Sequence, residues 1–64
     1  MPAPNWQPPP EAVEAACKAM MERWWSINSL DPAQWNWEQL SAHEKAIHLQ
    51  VFKHGLTTFM EAWL

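Results

Sequence analysis

What this 64-residue chain lacks narrows its class: it has one cysteine, one glycine, no tyrosine and only four Lys and Arg together. With Cys17 alone there can be no intrachain disulfide, and nothing asks for an oxidising compartment. The shortage of basic residues leaves no patch to neutralise phosphates, so direct nucleic-acid binding is not expected. Seven acidic residues give a net charge of -3, but they are spread from Glu11 to Glu61 and form no run that could mimic a nucleic acid. No apolar run approaches the ~18–20 residues of a membrane span, and the N-terminus has neither the basic nor the apolar region of a signal peptide. Interfacial membrane helices carry Lys and Arg on their polar face, which this acidic chain does not offer. The expectation is a soluble, cytoplasmic protein with no membrane partner.

Proline is nearly absent beyond residue 10, since five of the six fall in residues 1–10. That distribution predicts an extended arm over 1–9, followed by a single small helical domain over 10–64. A disordered end is expected for residues 1–4, while a lone tryptophan such as Trp6 in a Pro-rich arm is often there to pack back on the domain or into a partner. No segment shows strand alternation and no repeat is present, so the fold class is all-α.

Three helix starts can be read. Pro10 suits the first helical position, with Glu11 and Glu14 in the first turn where the dipole favours negative charge. Val13, Cys17, Met20, Trp24 and Ile27 follow at three- and four-residue spacing, predicting a helix over about 10–29 that stops because Pro32 pushes Asp31 out of the α region. In "LDPAQW", Asp31 is a candidate N-cap, Pro32 the first helical residue and Gln34 a capping-box partner. Leu30 can staple onto Trp35, which predicts a short helix over about 32–39. In "LSAHEK", Ser41 and Glu44 have capping-box spacing, and Ala46, Leu49, Phe52, Leu56, Phe59 and Trp63 carry a last helix to the C-terminus. Gly55 interrupts that stripe, whose continuity favours an unbroken or slightly kinked helix. The expected architecture is an antiparallel helical hairpin with a short helix at the turn, able to pair with a second copy as a four-helix bundle.

Tryptophan is what the chain has in abundance, with Trp24, Trp25, Trp35 and Trp37 falling within fourteen residues. Successive helical residues lie about 100° apart, so Trp24 and Trp25 cannot share a narrow stripe. The spacing assigns Trp24 to the core and Trp25, with Met21, to a flank. Trp35 and Trp37 lie about 200° apart on a helix, so one can staple inward while the other faces out. Ile47 and Val51 add a second apolar line on the last helix. Excess apolar surface of this kind marks a binding or oligomer interface, and Trp is the residue type most enriched among interface hot spots. The expected protein-binding residues are Trp25, Trp35 and Trp37, with Met21 beside them and Glu22 and Arg23 at the rim.

Catalytic chemistry is not expected. Cys17 sits on an apolar stripe with no local positive charge, which is the setting of an inert thiol. His43, Glu44 and His48 lack the zincin spacing, and Glu44 is already used in a cap, so no metal and no cofactor are expected.

The order of a helix, "RWWSINSLDPAQ", a short helix, "QLSAHEK", a helix and "VFKHG" resembles the layout of very small phage-encoded inhibitors of CRISPR-Cas defence, particularly those acting on type I complexes. The resemblance covers about residues 22–55, and its main elements are the Asp31-Pro32 turn and the Ser41–Glu44 cap. It implies a non-enzymatic inhibitor or adaptor that occupies a surface of a large host protein complex. The scattered acids and many tryptophans depart from a DNA-mimic pattern. The alternative is a structural homodimer with no inhibitory role.

Overall fold

The computed structural model describes residues 7–63, which leaves Trp6 outside the described residues. The chain is an all-α hairpin: helix α1 (Pro10–Ile27), a 3-10 turn (Trp37–Gln39) and helix α2 (Ala42–Trp63), with α1 packed on α2. It measures 40 × 23 × 15 Å, with a radius of gyration of 13.4 Å. A compact chain of this length would have about 10.7 Å. The molecule is therefore elongated, with little interior.

Local chemistry sets the element ends. Pro9 caps α1 and Pro10 opens it. At its other end Asn28 turns its side-chain amide back to the Trp24 carbonyl at 2.8 Å. Ser29 takes the left-handed conformation (φ 59°), and the Leu30 N–H donates to the Trp25 carbonyl at 3.0 Å. That six-to-one bond is the Schellman ending, with serine where glycine is usual. α1 thus stops at Ile27, ahead of the point at which Pro32 alone would have ended it.

The expected helix over 32–39 is not one helix. Asp31 caps a single turn, accepting from Ala33 N at 3.0 Å through its side chain and from Trp35 N at 2.7 Å through its carbonyl. Asn36 then goes extended (φ -141°, ψ 161°), donates to the Pro32 carbonyl at 2.9 Å and accepts from Gln39 N at 3.2 Å. One side chain closes the first turn and opens the 3-10 turn. This break lets Trp35 and Trp37 point independently of helical phase.

The Ser41 capping box forms as spelled: Ser41 N–H donates to Glu44 Oε1 at 3.0 Å, and Glu44 N–H to Ser41 Oγ at 3.1 Å. α2 runs unbroken through Gly55, whose φ is not positive. Glycine there costs the helix ~1 kcal/mol relative to alanine.

The core stripe differs from the expected one. Among the described residues the buried side chains are Val13, Cys17, Trp25 and Trp37. On α1 the buried line is Val13, Cys17, half-buried Met21 and Trp25, every fourth residue, whereas Met20, Trp24 and Ile27 are exposed. A four-residue line drifts about 40° per step, so it suits helices that cross, while alternating three and four suits near-parallel coiled-coil packing. On α2 the same drift half-buries His48, Phe52, Leu56 and Met60; of the expected stripe Leu49, Phe52 and Leu56 are half-buried, whereas Ala46, Phe59 and Trp63 are exposed.

Candidate protein-interaction site

Two tryptophans that sequence phase placed outside are inside. Trp25 is 4% exposed and Trp37 2%, the two most enclosed aromatics of the described residues, while Trp24 is 57% exposed. The physical reason lies at the turn. The 3-10 segment folds back over α1 and carries Trp37 to the helix junction, where Glu22 Oε2 accepts from the Trp37 backbone N–H at 3.0 Å. His48 of α2 completes the wall, with ring centroids 6.3 Å from Trp25 and 6.4 Å from Trp37. Lys45 Nζ lies 5.9 Å from the Trp37 ring centroid, within cation–π range. Neither Trp25 nor Trp37 can be a direct docking anchor in this state. The Trp37 indole Nε1 has no protein acceptor.

Trp35 lies at the surface of the turn. Its ring rests on Trp25, with centroids 6.1 Å apart and tilted by 56°, yet it stays 47% exposed. It forms the ridge between two shallow grooves. One, of about 270 Å³, is lined by Glu22, Ser26, Leu30, Pro32, Trp35 and Asn36. The other, of about 300 Å³, lies between Trp35, Gln34, Asn36, Gln39, Leu40 and Glu44. Leu30 and Trp35 line the same groove, across a turn instead of along a helix.

The remaining expected contacts divide. Met21 is half-buried in the core line, and Arg23 is exposed. Glu22, expected at the rim, has one carboxylate oxygen engaged by the Trp37 amide while its side chain also lines the Trp35 groove. Glu38 ties both helices to the turn, 3.2 Å from Lys18 Nζ and 4.0 Å from Lys45 Nζ. It is exposed, so each pair contributes at most ~1 kcal/mol.

The remaining chemistry is sparse. Burial, and secondarily the charge of Glu14, pushes the Cys17 thiol above its ordinary value, which suppresses the nucleophilic thiolate. Among the described residues no three of His, Cys, Asp and Glu gather as a metal site requires. No helix of the described residues is long and apolar enough to cross a membrane. One further apolar feature was missed by reading helix stripes singly: on α2 the exposed large hydrophobics are Ile47, Val51, Phe59 and Trp63, all on one four-residue row through Gly55. No protein-family model, no curated protein and no solved structure matches this chain.

Proposed function

We propose that this chain is a non-enzymatic interaction protein, a small inhibitor or adaptor that acts in the cytoplasm by docking the turn on a partner protein. The observation that carries the reading is Trp35: a half-exposed indole braced from beneath by the buried Trp25 and flanked by two grooves. A rigid aromatic already held in place gives up little entropy on binding, and Trp is the commonest hot-spot residue. The proline and leucine of the first groove supply apolar walls, and Glu22 and Asn36 supply polar rim groups. The mechanism is steric occupation of the partner's surface.

The resemblance to phage-encoded inhibitors makes a purified type I CRISPR-Cas complex the first partner to test, by surface-immobilised binding. Wild type should bind, and Trp35→Ala should weaken binding by at least about tenfold, the minimum for a ~1.4 kcal/mol anchor, with its helical circular dichroism unchanged. Equal binding by wild type and Trp35→Ala would remove Trp35 from the site. Absence of binding by wild type would remove this class of partner.

A further inference from the structure

We infer that the exposed face of α2 is a self-association surface, on which two copies cross antiparallel at Gly55 about a two-fold axis. Ile47, Val51, Gly55, Phe59 and Trp63 lie every fourth residue, and the four large ones are 47%, 69%, 62% and 69% exposed. Gly55 is at the centre of the row, with aliphatic residues at minus four and minus eight and aromatic residues at plus four and plus eight. An antiparallel second copy centred there sets Val51 beside the partner's Phe59, and the two-fold repeats the pair; Ile47 and Trp63, each about 80° around the helix from Gly55, flank the crossing. That reciprocity is what an isologous interface requires. Rows of every fourth residue meeting one another is also the commonest helix-packing class.

Gly55 supplies a separate argument. A Cβ placed on it meets nothing within 4 Å, so no contact inside the chain requires glycine at this mid-helix position. Its φ is not positive, so the backbone does not require it either. Close approach of a second helix does. The groove at this point, about 310 Å³ and lined by Met20, Val51, Phe52, Gly55 and Leu56, is almost wholly apolar.

Charge and area both select a second copy. From Ala46 to Trp63 the only Lys, Arg, Asp or Glu residues are Lys53 and Glu61, which balance, so two α2 helices meet without the repulsion expected from a chain of net charge -3. The Phe59 and Trp63 rings lie nearly parallel, with centroids 6.2 Å apart and planes at 8°, forming one aromatic block. Together with Ile47, Val51 and the exposed Met20 of α1, which lines the same groove, the face offers roughly 400–600 Å² per copy by side-chain burial values. That is at or below the lower end of specific interfaces, about 600 Å² per partner, and predicts a dimer that dissociates on dilution. The Trp35 grooves are not part of this face, so the inference does not rest on the partner reading above.

Sedimentation velocity of the full chain from about 1 µM to about 1 mM tests it. The expected result is a reversible monomer–dimer equilibrium. Val51→Lys alone and Phe59→Glu alone should each weaken dimerisation at least about tenfold, and the double variant should recover it, because the crossing sets residue 51 of one copy beside residue 59 of the other. Gly55→Leu should abolish the dimer while keeping full helicity by circular dichroism. A monomer throughout the range would overturn the inference and leave the face to a foreign protein. A dimer indifferent to Gly55→Leu, or single variants that the double variant fails to restore, would overturn the crossing at Gly55.

Discussion

Trp25 meets His48 edge-on, with ring centroids 6.3 Å apart and planes at 79°. The same imidazole lies at 46° to the Trp37 ring, so His48 serves as the α2 wall of a core whose bulk is two indoles. Aromatic pairs in such geometries contribute about 0.5–1.5 kcal/mol beyond their area burial. In a chain with four buried side chains among the described residues, that is a sizeable share.

Trp25→Ala and Trp37→Ala should each cost about 3–5 kcal/mol. A 64-residue domain has only about 3–10 kcal/mol in total, so urea denaturation followed by circular dichroism should find both variants largely unfolded. Trp24→Ala, on the exposed side of the same helix, should change stability by less than about 0.5 kcal/mol below the dimerisation range. A Trp24 variant as damaging as the Trp25 one would contradict the four-residue core line.

Ser29→Gly should stabilise the hairpin. The left-handed conformation costs a non-glycine residue roughly 1–2 kcal/mol, and the extra freedom that glycine gives the unfolded chain offsets part of the gain. A net rise of about 0.5–1 kcal/mol is expected, read as a higher urea midpoint at unchanged slope. A lower midpoint would mean that the serine side chain contributes to the turn.

The Ser41 backbone N–H, and then the Ser41 hydroxyl, hold the Glu44 carboxyl below its ordinary 4.5. A depressed carboxyl binds its proton less tightly in the folded state. Its contribution is therefore complete above 4.5 and is lost as the pH falls through the lower folded value. The start of α2 should fray first in acid, and an amide-resolved pH titration should show the Ser41 and Glu44 N–H signals shifting together. Glu44→Gln should flatten that dependence.

Cys17 should resist thiol reagents in the native state, because it is fully enclosed and its thiol is held neutral. At neutral pH its modification rate should track the unfolded fraction as urea is raised. Fast reaction without denaturant would show that the α1–α2 junction opens locally.

Legibility from sequence followed the range of the interactions. The cap formed by Ser41 and Glu44, the capping role of Asp31 and the start at Pro10 depend on neighbours within a few residues and were readable, whereas the helix expected after Asp31 ends within one turn. The division between Trp24 and Trp25 was not. Both a three-and-four stripe and a four-only line exist on α1, and the choice depends on the angle at which α2 crosses it. Trp37 was misplaced for a related reason: Asn36 breaks the turn in two, so helical phase does not govern where the indole goes. The row through Gly55 was visible only in parts, since Ile47 and Val51 read as a flank and Phe59 and Trp63 as core.

The most enclosed indole of the described residues is carried by the loop, and its amide is held by a carboxylate on α1. In most hairpins the connection is the first part to exchange its amide hydrogens. Here the Trp37 amide is part-buried and held by the Glu22 carboxylate, so its exchange should be slower than that of the other turn amides and should speed up in Glu22→Ala. The connection between the helices thereby carries its own reporter on how firmly the turn is seated against α1.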